Sequence, residues 1–432
     1  MTPSPVLTAA ALVVLALATA CDPRGARAGG GPAPAGESSV DDSTVRADTA
    51  SLLGAGRIAR LPAAERASWT RYVERSRATM RQERATMAAE LRAAGLERMV
   101  PAPNVRAAFA IRPYMTPDWF RSDSGRRLAE SVLSFQTPTG GWSKHVDYTQ
   151  GARRPGMSWY AENSSWSYIG TLDNQATTTQ IEFLALAHAA TGDERQRAGA
   201  RRGLAYLEQA QFPNGCWPQV YPLQGGYHDA ATFNDDAIVN ALRVLRDVGR
   251  DARGPYATVV DSAGRAAAGA ALARGVDCLL ASQVEVDGRR TVWGQQHDPL
   301  TLLPTNARSY ELASLSGRES AGITEFLMTL PDPDARVVTA VHDAVDWFKA
   351  HAIHGYAYDF ETGLRAEAGA GPIWARMTEI GTNKPIFSNR DGVKLYDYEQ
   401  LGDRRRGYAW FSTEPAAVLE RYERWAPRHP RR

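Results

Sequence analysis

The chain is poor in cysteine, with Cys21, Cys216 and Cys278 the only three among 432 residues. None sits in a CxxC pair or at zinc-ligand spacing, which excludes a thiol-built metal site or dithiol redox centre. With Cys21 in the leader, the other two can pair or stay as small buried hydrophobes, and the second is the expectation. Charge of one sign is also missing: 50 basic against 48 acidic residues leave a net charge of +2. Composition therefore offers no electrostatic footprint for nucleic acid, and any cationic site must be local. The period-two alternation of strands is almost absent, which argues for an all-α chain. The first twenty residues, MTPSPVLTAAALVVLALATA, are apolar but short for a membrane span, and no Lys or Arg precedes their apolar run.

The organisation follows from what is present. Residues 1–21 are expected to be a secretory signal, with Cys21 where a bacterial lipoprotein carries its lipid, although Ala18 stands where Leu is usual. The expected location is outside the cytoplasm of a bacterium: secreted, periplasmic, or an outer-membrane lipoprotein held by lipid at Cys21. Residues 22–56, rich in Gly, Ala, Pro, Ser and Asp, are expected to be a flexible linker. A long charged helix over 62–98, with Trp69, Tyr72, Met80, Met87 and Leu91 on one stripe, makes 57–117 an N-terminal helical segment packed on the main domain. The catalytic domain is expected over 118–432, and 44% apolar residues suffice for its core.

That domain contains a repeat. The runs SFQTPTGGWSK, AQFPNGCWPQ and SQVEVDGRRTVWGQ each close a helical pattern, and their Trp142, Trp217 and Trp293 are 75 and 76 residues apart. An irregular loop and a second apolar-periodic helix follow each: 173–190, 233–249 and 306–330, the last broken at Ser316-Gly317. Repeated helical hairpins imply an α/α toroid in which one set of helix ends and loops lines a groove. The tryptophans are read equally as wedges between hairpins and as sugar-stacking surfaces.

Equivalent hairpins would deliver Asp173, the pair Asp235-Asp236 and Arg308 to one rim. An Asp at a helix start can also be a plain N-cap. Lys144 follows the first GGW, and the polar stretch WARMTEIGTNKPIFSNRDG (374–392), read as a long ordered loop, adds Arg376, Lys384 and Arg390. Carboxylates beside several fixed cations suit an anionic sugar polymer bound through a divalent cation, because hard oxygen ligands take Ca²⁺ and Arg pairs bidentately with carboxylates.

TLDNQATTTQIEFLA, QFPNGCWPQVYPL, FNDDAIVNAL, NARSYELASLSGRES and RMTEIGTNKPIFSNRDG, in this order, resemble the polysaccharide lyase family 10 pectate lyases over about 118–426. The resemblance implies a mainly helical, toroid-like fold with a wide groove, and calcium-dependent β-elimination of polygalacturonate. It implies Asp173 and Asp235 as groove aspartates holding metal, Asp173 also meeting substrate. Arg390 is implied as the catalytic base, with Arg308 and Arg376 as substrate-holding arginines; Lys384 and Lys144, read from the residues themselves, are expected to bind substrate beside them. The loop between Lys144 and Asp173, rich in Trp and Tyr, does not match the family pattern, and Cys216 stands where a second glycine would complete GGW.

In β-elimination a base removes the C5 proton beside the uronate carboxyl group and the C4–O bond breaks, so preorganised positive charge around that carboxylate lowers the barrier. An arginine base needs a crowded cationic groove to weaken its hold on the proton. Three alternatives remain. A terpene-cyclase-like toroid shares the Q-x-x-x-G-x-W pattern, but a cationic groove would repel its carbocation. An inverting glycoside hydrolase would use two carboxylates, Asp173 with Asp235 or Glu379. A non-catalytic pectin-binding protein would keep the groove without turnover. A monomer with no protein partner is expected.

Overall fold

The computed structural model describes residues 51–161, 170–250 and 253–431. The expected signal sequence, Cys21 and most of the expected linker lie outside these residues. Among the described residues, no helix is long and apolar enough to cross a membrane.

The frame is a ring of helical hairpins. Helix α1 (Ala63–Ala94) precedes it. The ring comprises α2 (Asp123–Ser134), α3 (Thr178–Thr191), α4 (Glu194–Ala210), α5 (Ala237–Arg250), α6 (Ser262–Ser282), α7 (Gly317–Met328), α8 (Ala335–Ala350) and α9 (Glu414–Trp425). Helices α2, α4, α6 and α8 form an outer layer. Each starts on a side-chain cap: Ser122 accepts from the Gly125 N–H, Asp193 from Arg195, Asp261 from Gly264 and Asp334 from Val337. Helices α3, α5, α7 and α9 form the inner layer, in which α5 packs on α3, and α7 on both α5 and α9. The result is the α/α toroid expected from the repeat.

Short turns join α3 to α4 and α7 to α8, and residues 251–261 join α5 to α6, whereas longer connections join α2 to α3, α4 to α5, α6 to α7 and α8 to α9. Because successive helices are antiparallel, all four long connections emerge at one end. Two-residue ladders stitch each to the next: Gly170–Thr171 with Val220–Tyr221, and Ala231–Thr232 with Gln296–His297. A bridge joins Leu315 to Thr378, and Trp374–Ala375 pairs with Phe411–Ser412. Strands this short carry no readable alternation, hence their absence from the sequence pattern.

The tryptophans are wedges. Trp142, Trp217 and Trp293 are all 0% exposed, and each indole N–H donates to the main chain of the preceding helix, at Val132, Leu207 and Leu279. Trp374 repeats this arrangement towards Phe348, a fourth unit not recognised in the sequence. The glutamine opening each motif ties neighbouring units together. Gln136, Gln211 and Gln283 each donate to a carbonyl in their own turn and to one on the next outer helix, at Gly199, Ala271 and Ala340. Burying the rings answers the choice between wedge and sugar platform, because no sugar can reach them. Cys216 and Cys278 are paired, with Cα atoms 5.3 Å apart, and not free thiols as expected. Their bond fastens the second motif to α6.

Helix α1 lies across the first two units, burying Trp69, Tyr72, Val73 and Met87. Tyr72 donates to the Ala210 carbonyl, and buried Glu83 accepts from the Thr139 N–H and hydroxyl. The chain after α1 reaches the rim: Val105 exchanges hydrogen bonds with His145, and Asn104 bridges Val146. A second small core under the last rim loop, including Tyr310, Met377, Phe387, Tyr408 and Trp410, gives 374–392 its fixed shape without helix or long strand.

Candidate active site

The inner helices all start at the rim, and α3, α7 and α9 have no side-chain hydrogen bond capping their first turn. The positive ends of four helix dipoles therefore collect there, a setting that favours anions.

Two tight turns precede α3 and α5. Asp173–Gln175 lies against Asn234–Asp236, and neither aspartate caps a helix. Leu172 (φ −97°, ψ −5°) matches Phe233 (φ −93°, ψ −19°), so Asp173 corresponds to Asn234. Asp235, in the left-handed region at φ 51°, corresponds to Asn174 at φ 50°. The two aspartates thus occupy neighbouring positions of the repeat, one residue out of step, and not the same position as the sequence suggested. Asn and Asp are the residues that tolerate this conformation best.

Asp235 is held from three sides. Its Oδ1 lies 2.9 Å from Arg318 and 3.4 Å from Arg376, and its Oδ2 accepts from Asn234 at 3.0 Å. Burial works against ionisation, but Arg376 and then Arg318 outweigh it and hold the carboxyl below the usual carboxylate range. Beneath lies Glu319, with no exposed side-chain surface, 2.8 Å from Arg376 and 3.4 Å from Arg318. Arg376, expected to meet substrate directly, is only 6% exposed. Its guanidinium binds Asn234, Asp235 and Glu319, so it supports the site from inside. Arg318 and Glu319 were missed in the sequence because they sit on what reads as an ordinary amphipathic helix. Their spacing to Asp235 exists only after folding.

Beside this cluster, two tyrosines collect the remaining arginines. The Tyr310 ring has Arg404 at 4.2 Å, Arg308 at 4.9 Å and Arg390 at 5.7 Å from its centroid, and Tyr408 has Arg376 at 4.7 Å. Arg308 binds Glu311 through two hydrogen bonds. Burial opposes its charge, but the Glu311 bond wins and tightens its hold on the proton. Arg390 is exposed, and among the described residues it has no ion pair. The Nε atoms of Arg376 and Arg404 are buried donors without an acceptor.

Lys144 and Asp173 form a 2.8 Å ion pair on the other side. Tyr227 and His228, with ring centroids 3.8 Å apart, lie within electrostatic reach of both this pair and Arg308. Burial, then Lys144 and Arg308, pushes the imidazole down to about 3, so His228 is neutral at ordinary pH. Lys384 lies apart, exposed, with its Nζ 6.0 Å from the Tyr396 ring centroid. The structure thus brings Asp173, Lys144, Arg308, Asp235, Arg376 and Arg390 along one rim, with Lys384 at its edge.

Among the described residues no group of three or more His, Cys, Asp or Glu side chains could hold a metal alone. Asp173 and Asp235 are hard oxygen donors on adjoining turns, which fits a Ca²⁺ shared with a ligand that brings its own oxygens, since Ca²⁺ takes six to eight.

Residues 136–419 match the family model for pectic acid lyase. No curated protein sequence matches the chain. Among solved structures, the chain is similar to a family 10 polysaccharide lyase from Cellvibrio cellulosa, with 34% identity and a TM-score of 0.63 over 73% of this chain and 98% of that one. It is equally similar to a mutant of a family 10 polysaccharide lyase from that organism in complex with trigalacturonic acid, with 34% identity and a TM-score of 0.64 over 71% of this chain and 96% of that one. The family model covers most of the chain, and both solved relatives are 34% identical to it over more than two thirds of its length, so the protein belongs to the pectic acid lyase family and is a polysaccharide lyase.

Proposed function

We propose that this chain is a secreted or envelope-anchored pectate lyase that cleaves polygalacturonate by calcium-dependent β-elimination with an arginine base. The observation that carries this reading is the cationic rim built around Tyr310 and Tyr408 beside Asp173 and Asp235, in a chain of this family. Uronate carboxylates meet guanidinium groups and inner-helix N-termini there, and the Arg376–Glu319 pair fixes Asp235 before substrate arrives. Ca²⁺ held by Asp235 and Asp173 together with substrate carboxylates would withdraw charge from the reacting uronate.

The base takes the C5 proton, the C4–O bond breaks, and a C4=C5 double bond remains. The family resemblance implies Arg390 for this step. Position favours Arg308, because geometry takes precedence over resting proton affinity when a base is chosen. The charge of Arg308 acts on Asp235, Tyr227 and His228 alike, and Glu311 fixes its orientation. Exposed and free of a carboxylate, Arg390 is better suited to hold a neighbouring uronate. A hydrolase would need a carboxylic acid poised to donate, and Asp235, kept ionised by Arg376 and Arg318, is unsuited to that.

The test is the near-ultraviolet absorbance of the conjugated product on polygalacturonate with Ca²⁺. A rise that a chelator stops is expected. Folded protein that produces no rise on any uronate polymer overturns the proposal.

A further inference from the structure

The hairpin that carries Arg390 has a second cationic feature at its base. Phe387–Ser388 pairs with Lys394–Leu395, so Arg390 occupies the connecting turn, and that turn lies against Ser309 beside Arg308. On the outgoing strand Tyr396 is 54% exposed, yet its hydroxyl is fixed by a 2.8 Å hydrogen bond to Glu379. Glu379 also binds Lys394 at 2.6 Å and Thr382 at 2.5 Å. An exposed aromatic ring is thus anchored at its polar end and presents its apolar body to solvent. Beside this ring stands Lys384, which among the described residues has no carboxylate partner. Lys394 is neutralised by Glu379, whereas Lys384 is not.

From this juxtaposition we propose that Tyr396 and Lys384 form an outlying subsite for one uronate of the polymer, reached when the chain runs past Arg390. The proposal rests on the lyase reading and extends it. A pyranose offers an apolar C–H face and, in a uronate, a single carboxylate at its edge. One open aromatic face with one uncompensated cation beside it is the matching pair of groups. Holding the ring by its hydroxyl removes side-chain freedom in advance, so less entropy is lost when sugar stacks. Arg390 and Lys384 lie on the same rim segment and are both uncompensated, which favours a continuing polyanion over an unrelated partner. A subsite outside the reacting position adds affinity for long chains and leaves short ones unaffected.

The test compares tri- and hexagalacturonate in the full-length protein and in Tyr396→Ala and Lys384→Ala. The wild type is expected to gain in kcat/KM on lengthening, and each variant to lose about threefold to tenfold of that gain. Migration in polygalacturonate-containing native gels gives a second readout that needs no turnover, and both variants should be less retarded. Unaltered length dependence together with unaltered retardation overturns the subsite. Absence of turnover in the wild type would instead overturn the lyase reading, while the gel result would still decide the subsite.

Discussion

Arg376, on the last rim loop, places one Nη atom 2.6 Å from Asn234, 2.8 Å from Glu319 and 3.4 Å from Asp235, joining the last and second rim loops to α7. Removing it would strand Glu319, which has no exposed side-chain surface. Arg376→Ala should therefore cost about 3–5 kcal/mol of stability, as expected when one member of a buried pair is deleted. Chemical denaturation measures this. A loss under 1 kcal/mol would mean that Arg318 alone satisfies Glu319.

Arg308 and Arg390, two of the three arginines on the Tyr310 ring, should separate kinetically. Arg308→Ala is expected to lower kcat by at least about a hundredfold, in the range of a lost general base. Arg390→Ala should mainly raise KM for polygalacturonate. Steady-state kinetics under saturating Ca²⁺ distinguish them, and the reverse pattern would return the base to Arg390.

The Cys216–Cys278 bond closes a segment with a sequence separation of 62. Chain-entropy reasoning gives it about 4 kcal/mol, provided the reduced chain is otherwise unfolded. A Cys216→Ser/Cys278→Ser double variant should melt well below the wild type and keep its rim chemistry at low temperature. Unchanged melting would show that packing alone secures the motif.

Burial pushes Glu83 up to about 7 despite its Thr139 bonds, against an ordinary value of 4.5. The folded state thus binds this proton more tightly than the unfolded state, so stability is fully present below about 4.5 and falls as pH rises through 7. The loss should be on the order of 3 kcal/mol. Melting curves of wild type and Glu83→Gln from acid to mildly alkaline pH isolate the effect, because Asp229, Asp236 and the histidines are common to both. A pH-independent difference would remove Glu83 from the account.

The Lys144–Asp173 pair depends on chain outside the family-matched region. Val105 donates to the His145 carbonyl, next to Lys144, and His145 sits at φ 61°. Val105→Pro removes that donor and should raise KM several-fold with kcat little altered. Equal losses in both constants would indicate general misfolding of the rim.

Much of the frame was legible because it repeats: a motif every 75 or 76 residues states both the hairpin and its wedge. Trp374 escaped because its unit lacks the Gln that opens the others. The rim loops were placed by counting alone, since alternating helices force them to one end. The ion-pair lattice was not legible. Asp235, Arg318, Glu319 and Arg376 come from three separate stretches, and nothing in their local sequence separates a buried arginine from one awaiting ligand. The same limit misjudged the cysteines, whose pairing depends on α6 lying beside the second motif.

Long connections at one end and short turns at the other give the molecule a working face and a plain back. The turns at Gly192-Asp193 and 329–334 lie opposite the groove. Coupling to a solid support or a fusion partner through that back would leave the face open to a polymer too long to turn around. In a layer of molecules held by that back, such orientation governs how many present their rim to solution.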